Sequence, residues 1–295
     1  MSDYIISTTS TTDLPESYVK ENQLSFIPYI FLMNDREYQD DFGKSVSFQD
    51  FYNQVREGAM PSTSMINREI YQEHFTSLLE QGKDVVHIEF SSALSGSYAN
   101  GKDVADRLNQ SGKYPNQIYF IDSLCASMGQ GLLVDYAVKL KRAGKTAEEV
   151  AAWLEENKRN ILHWFTVDDL NHLRRGGRVS KASAFFGTML KIKPILDVDD
   201  QGRLIPHFKV RGRKKAVAGL LEQMKQDILE PDGQTVFISH GDCIEDAKKL
   251  EAMVREAFPT ITDILINYIG PVIGSHSGPG TLALFYRGKH RYHED

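Results

Sequence analysis

Short runs of β-branched and aromatic residues alternate with longer stretches of helical periodicity from the start of the chain, the pattern of an α/β protein with parallel strands. Tyr4-Ile5-Ile6 predicts a first strand, Phe26-Ile27-Pro28-Tyr29-Ile30-Phe31 a second, Val85 to Phe90 a third and Ile118 to Ile121 a fourth. Helices fill the gaps. Ser47 with Asp50, and Thr146 with Glu149, have the spacing at which side chains satisfy the free amides of a helix start. Between Gly131 and Leu140, the residues Leu133, Ala137 and Leu140 fall on one helical face, as a helix docked on a sheet requires.

The texture changes near residue 160. Trp164 to Val167 predicts a strand, and the basic, glycine-bearing Arg174-Arg175-Gly176-Gly177-Arg178 follows. Pro194 to Val198 and Leu204 to Val210, separated by Asp199-Asp200-Gln201-Gly202, predict a hairpin. Val236 to Ser239 and Ile264 to Tyr268 supply further strands, with helices near 213–229 and 243–257. The expected organisation is an N-terminal α/β domain over 1–160 with a Rossmann-like parallel sheet, and a C-terminal mixed α/β domain over 161–295. A length of 295 residues exceeds the size at which one hydrophobic core usually stops growing, so two domains and a ligand cleft between them are the default.

With 41% hydrophobic and 25% charged residues and a net charge of −6, the chain has the composition of a globular protein without the basic character of a nucleic-acid binder. The N-terminus carries no cationic stretch before an apolar core, and no apolar run approaches the roughly 20 residues that span a bilayer. A cytoplasmic location is therefore expected. Cys125 and Cys243 have no paired spacing, so both are expected to be reduced and structural.

The most concentrated chemistry lies in Gly270-Pro271-Val272-Ile273-Gly274-Ser275-His276-Ser277-Gly278-Pro279-Gly280, read as a loop that crowds glycines and prolines around one imidazole and two hydroxyls. Taken alone, it could equally be a tight connection between strands. Ser91-Ser92-Ala93-Leu94-Ser95-Gly96-Ser97-Tyr98 leads from a strand into a helix, where an open α/β sheet binds ligands and free amides favour an anion. One serine there would serve as a cap, but the segment holds more serines than one cap needs. Met60-Pro61-Ser62-Thr63-Ser64 is read as a second hydroxyl-rich turn, and Asp122-Ser123 with Ser127 as a third. Together they imply a pocket that recognises oxygens without a metal.

Ser95, His276 and Asp13 or Asp122 are residue types of a serine hydrolase, yet the Gly-x-Ser-x-Gly elbow is absent. His163, His172, His207, His240 and His276 have no metal-ligand spacing, and neither a phosphate loop nor a dinucleotide fingerprint is present, so no metal, cofactor or ATP site is expected. Of the basic runs, Lys209-Val210-Arg211-Gly212-Arg213-Lys214-Lys215 reads most simply as a solvated face. Arg178 differs, because two glycines let its backbone approach a cleft where a guanidinium can pair with a carboxylate or phosphate. Phe185-Phe186-Gly187-Thr188-Met189-Leu190 reads as core, and would also suit the wall of an apolar tunnel.

Taken in order, Thr11-Thr12-Asp13-Leu14-Pro15, Pro61-Ser62-Thr63-Ser64, Ser91 to Tyr98, Asp122-Ser123 with Ser127 and Gly129, Leu173 to Ser180, and Gly270 to Gly280 resemble the motifs of the DegV family over almost the whole chain. The resemblance implies a two-domain protein that holds one long-chain, palmitate-like fatty acid between its domains. It also implies a non-catalytic role as the fatty-acid-binding subunit of bacterial fatty acid kinase. Such a subunit presents the carboxylate to a separate ATP-binding kinase and carries the acyl phosphate toward phospholipid synthesis, with at most transient contact with a membrane surface. By the same resemblance, Thr63 and Ser95 would bond the carboxylate, His276 would join them and Arg178 would offset the charge. The basic stretch with Arg211 and Arg213 is assigned to docking the kinase. Where the family commonly reads Thr-Asp-Ser near its N-terminus, this chain has Thr8-Thr9-Ser10, and Ser62 and Ser97 stand where threonine is frequent.

The physics is compatible with that implication. Burying about 14 methylenes at roughly 0.8 kcal/mol each gives on the order of 11 kcal/mol of gross transfer free energy before ordering costs. A buried carboxylate needs donors of the hydroxyl, imidazole and guanidinium type. A passive carrier or sensor without a kinase partner, and a hydrolase using Ser95 and His276, are the alternative readings.

Overall fold

The computed structural model describes residues 3–179 and 192–291. The first half of the chain runs β1 (Ile5–Thr9), α1 (Glu16–Glu21), β2 (Ser25–Ile27), β3 (Ile30–Met33), β4 (Arg36–Gln39), α2 (Phe48–Arg56), β5 (Ser62–Ser64), α3 (Arg68–Leu79), β6 (Val85–Glu89), α4 (Ser97–Gln110), β7 (Ile118–Asp122), α5 (Met128–Arg142) and α6 (Ala147–Asn157). The second runs β8 (Ile161–Thr166), α7 (Asn171–Gly176), β9 (Ile192–Val198), β10 (Leu204–Arg211), α8 (Arg213–Asp227), β11 (Thr235–His240), α9 (Ile244–Ala257), β12 (Asp263–Tyr268), α10 (Pro271–Ser277) and β13 (Leu282–Arg287).

Strands β2-β1-β6-β7 form an all-parallel sheet, and its central strand β6 is buried at every position, as strands covered on both faces must be. Strands β4-β3-β5 form a small antiparallel sheet. Among the described residues, the strands after residue 160 belong to a third, mixed sheet, ordered β10-β9-β8-β13-β11-β12, in which β11 and β12 pair in parallel and the other neighbours antiparallel. The α/β class is as the sequence pattern requires.

Local chemistry explains several elements. Ser47 accepts the Asp50 amide at the start of α2, and Thr146 and Glu149 form a reciprocal capping box on α6. The single strand expected over Phe26–Phe31 is instead two. Pro28 has no N–H to continue a ladder, and the Tyr29 amide turns aside to donate to Ser10 Oγ at 3.0 Å, so β2 and β3 enter different sheets.

Helix α5 does more than dock on one sheet. Leu133 and Ala137 are buried and Leu140 is half-buried, but Leu132 and Val134 on other faces are buried too. The helix packs on β1 and β6 on one side and on β8, β11 and β13 on the other. A helix buried on several faces belongs in an interior, and here its first turns join residues as distant as Tyr4, Phe165, Phe237 and Phe285 into one hydrophobic cluster. The two cysteines are free thiols, Cys125 buried and Cys243 half-buried. No helix among the described residues is long and apolar enough to cross a membrane.

Candidate functional site

Sequence periodicity places the first functional hydroxyl. In β5 alternate residues face opposite ways, so Ser62 and Ser64 are exposed while Thr63, opposite the fully buried Phe31 of β3, turns inward. This segment is therefore a strand and not the turn expected for it. Its pairing to β3 comes from a distant part of the chain, which no local pattern announces.

Gly270 to Gly280 is likewise not a loop, because its middle forms helix α10. Pro271 occupies the first helical position, where a missing N–H costs nothing, and Ser275 Oγ donates back to the Pro271 carbonyl at 2.6 Å. Gly274 lets the helix press against Tyr52, whose hydroxyl would lie 2.7 Å from a Cβ at that position. Gly278, at φ 78°, ends the helix in a conformation suited to glycine. His276 in its last turn points at β5, and its Nε2 lies 2.8 Å from Thr63 Oγ1.

Arg178 reaches the same place from the end of α7. Gly177 adopts φ 66° beyond the helix, and the chain then bridges to Leu204 at the start of β10 through Val179. The guanidinium donates through Nε to the Leu94 carbonyl at 3.2 Å and also to the Gly176 carbonyl. Gly176 lies against the imidazole: a Cβ there would stand 2.3 Å from His276 Nδ1. Burial first, and the Arg178 charge second, hold His276 down to about 4, so its ring is neutral near pH 7.

Ser95 sits just before α4. Its Oγ accepts the Ser97 amide at 3.2 Å and donates to Ser97 Oγ at 3.1 Å, so it tightens the turn and also lines the cavity. Thr63, Ser95, His276 and Arg178 are thus brought to one cavity of about 850 Å3 of empty space, part of it open to solvent. Its remaining wall is chiefly apolar: Phe90 and Leu94 after β6, Phe165 of β8, Ala283 and Phe285 of β13, and Val272 and Ile273 of α10. Such a mixture, with a few converging polar groups in an apolar chamber, is what a small-molecule site presents. Phe185 to Leu190, considered for a tunnel wall, lie outside the described residues.

The hydrolase constellation is not assembled. His276 Nε2 addresses Thr63 and not Ser95, while Asp13 and Asp122 bond elsewhere, to Ser127 and Gly270 and to the Ser92 and Leu124 amides. Among the described residues no cluster of three or more His, Cys, Asp or Glu could hold a metal.

Sequence reasoning missed Tyr29, which lines the cavity and donates to the fully buried Glu89 at 3.2 Å. Glu89 also accepts from Tyr71 at 2.6 Å and lies 2.9 Å from His87, which Ser7 links on to His74. The only available signal was the polar alternation His87, Glu89 within an otherwise apolar strand. Thr9 is buried, with its Oγ1 2.7 Å from Thr11 Oγ1 and accepting from Gln130 at 3.2 Å. Of the two arginines assigned to docking, Arg211 is exposed, whereas Arg213 is engaged by Asp246 at 2.8 Å and Asp168 at 3.5 Å.

Compared with known proteins, residues 4–289 match the family model described as an uncharacterised protein of the DegV family. This chain belongs to the DegV family. A DegV domain-containing protein of Clostridium perfringens is 44% identical over 289 residues, which cover 98% of both chains. Two solved DegV proteins share the fold. One, from Thermus thermophilus and described by its fatty acid binding, has TM-score 0.87 and 28% identity over 97% of this chain and 99% of its own. The other, a fatty acid binding protein from Bacillus subtilis, has TM-score 0.83 and 28% identity over 98% of this chain and 100% of its own.

Proposed function

We propose that this DegV protein holds one long-chain fatty acid in the cavity, its carboxylate at Thr63, Ser95, His276 and Arg178 and its tail along the apolar wall, between halves comprising residues 1–160 and 161–295. The observation that carries the reading is the convergence of two hydroxyls, a neutral imidazole and a guanidinium on one apolar chamber. An uncompensated carboxylate would be strongly disfavoured there, and these four groups supply the donors and positive charge it needs. The fatty acid binding of the Thermus thermophilus and Bacillus subtilis relatives supports it.

The chain further serves as a non-catalytic cytoplasmic subunit that presents the bound carboxylate to a separate ATP-binding kinase for acyl-phosphate formation, with exposed Arg211 in the docking face. The motif order of the family supports this part. The test is to express the chain in bacteria, purify it without detergent and identify what denaturation releases by mass spectrometry. Near-stoichiometric fatty acid is expected; a lipid-free preparation that also fails to take up added palmitate overturns the binding assignment. Unaltered acyl-phosphate formation by an ATP-binding kinase when this chain is left out would overturn the presenting role.

A further inference from the structure

Behind the cavity lies a chain of buried polar groups that the fatty-acid reading does not use, and the direction of its hydrogen bonds limits what Ser95 can do. Glu89 is fully buried, and four donors meet its two oxygens: the Tyr29 hydroxyl at 3.2 Å, the Tyr71 hydroxyl at 2.6 Å, the Phe90 amide at 3.0 Å and His87 Nε2 at 2.9 Å. A carboxyl so surrounded is an acceptor without a proton of its own. The far end is ordered in the same sense. His74 Nε2 donates to Ser7 Oγ at 2.8 Å and Ser7 to His87 Nδ1 at 2.9 Å, the assignment under which each group finds a partner and His87 turns its N–H to Glu89.

Tyr29 has one hydroxyl proton and gives it to Glu89, so its oxygen can only accept from its other neighbours. Those neighbours are the hydroxyls of Ser97 and Ser95. Ser97 Oγ receives the Ile66 amide at 3.0 Å and the Ser95 hydroxyl at 3.1 Å, and its own proton goes on to Tyr29. Each hydroxyl proton between Ser95 and Glu89 therefore points away from the cavity. Ser95 also accepts the Ser97 amide at 3.2 Å, so it offers the cavity a lone pair, which suits a carboxyl proton and repels a carboxylate. The run turns round only as a whole: Ser95 then donates to the ligand, Ser97 to Ser95, Tyr29 to Ser97 and Glu89 to Tyr29. That reversal keeps the run bonded and requires one added proton, at Glu89. Two acids a few hydrogen bonds apart in a buried site also resist being charged together.

We propose, on the fatty-acid reading of the cavity, that the ligand carboxyl and Glu89 share one proton through Ser95, Ser97 and Tyr29, so that each fatty-acid anion is bound together with one proton from solvent. An acid that enters protonated gives its proton to Ser95, which passes its own to Ser97, and so on until Glu89 holds one. For an acid that enters ionised, the proton reaches Glu89 by His74, Ser7 and His87. Either way the ligand ends as a carboxylate, the nucleophile that acyl-phosphate formation needs. The titratable groups facing Glu89 are His87 on its own strand, Tyr29 ahead of β3 and Tyr71 on α3, with His74 of α3 next in line. Asp122, opposite Glu89 on β7, is turned to the Ser92 and Leu124 amides, and Arg178 and the neutral His276 stand at the cavity end.

The probe is laurate, titrated calorimetrically into the delipidated full-length protein at about pH 7.5 in phosphate and in Tris, whose different ionisation heats count the protons exchanged. An uptake of about one proton per laurate is expected, with affinity falling toward roughly tenfold per unit rise in pH. Glu89→Gln, which keeps the shape and cannot take the proton, should bring the uptake near zero and flatten the pH profile. Tyr29→Phe, which cuts the run at the cavity wall, should do the same. A purely structural role for either residue would lower affinity and leave the proton count unchanged. Laurate binding by the parent with an uptake near zero, or an uptake that persists in Glu89→Gln, overturns the shared proton and leaves the fatty-acid reading standing. A parent that binds neither laurate nor palmitate overturns both. Should Glu89→Gln fail to fold, unchanged uptake in Tyr29→Phe is the overturning result.

Discussion

Thr63 and His276 are separated by 213 residues, yet their side chains meet at 2.8 Å. This contact fastens an exposed-edged sheet of the first half to a helix of the second, and it sets the polar end of the cavity. A neutral imidazole and a hydroxyl can each turn a proton toward an incoming carboxylate, whereas a protonated imidazole beside Arg178 would crowd two positive charges.

Thr63→Val removes this hydroxyl and keeps the β-branched shape. Stability should fall by only about 1 kcal/mol, while affinity for palmitate drops on the order of tenfold. Displacement of a fluorescent fatty acid measures the second quantity, and an unchanged value would remove Thr63 from the carboxylate site.

Gly176→Ala tests positioning without altering any polar group. The added methyl would press into His276 Nδ1 and push the ring from Thr63, costing about 1–3 kcal/mol of stability and lowering fatty-acid affinity as His276→Ala does. Wild-type binding in Gly176→Ala would show that the ring does not depend on this packing.

Ala283→Leu places a larger side chain on the apolar wall contributed by β13. The fatty acids carried by the purified variant should be shorter than those of the parent protein. Mass spectrometry of the released lipids decides, and an identical chain-length profile would move the tail elsewhere.

Ser95→Ala removes one donor from the cavity and also the acceptor of the Ser97 amide, a loss of about 1 kcal/mol at the start of α4. With a kinase partner and ATP, acyl-phosphate formation should fall at least tenfold. Full activity would refute the headgroup assignment of Ser95.

Stability should respond to pH in two opposed ways. His276 and His240 are held down to about 4 and His74 to about 3, in each case mainly by burial. The unfolded chain therefore takes up protons first as pH falls, so this contribution is complete above about 6.5 and is lost toward about 4. Asp40 is pushed up to about 7 by burial, so its contribution is present below about 4 and lost as pH rises through about 7. Relative to the parent, Asp40→Asn should gain a few kcal/mol between pH 5 and pH 8, read by urea unfolding at both values. A pH-independent difference would contradict a buried, titrating Asp40.

The amphipathic and alternating patterns, together with capping spacings such as Thr146 with Glu149, determined the α/β class and most elements, because these depend on contacts a few residues apart. The order of motifs from Thr11 to Gly280 also carried the DegV resemblance, and with it the residues that line one cavity. Only the tertiary structure decided that Phe26–Phe31 divides between two sheets, that Ser62–Ser64 is a strand and that Pro271–Ser277 is a helix. In each case partners far away in sequence satisfy the backbone or cover the side chains. The same reason hid the meeting of Thr63 with His276, the Glu89 network behind Tyr29, and the pairing of Asp13 with Asp40 against Gly270. A hydroxyl, an imidazole or a carboxylate is legible in a sequence, but its partner is chosen by the packing that buries it.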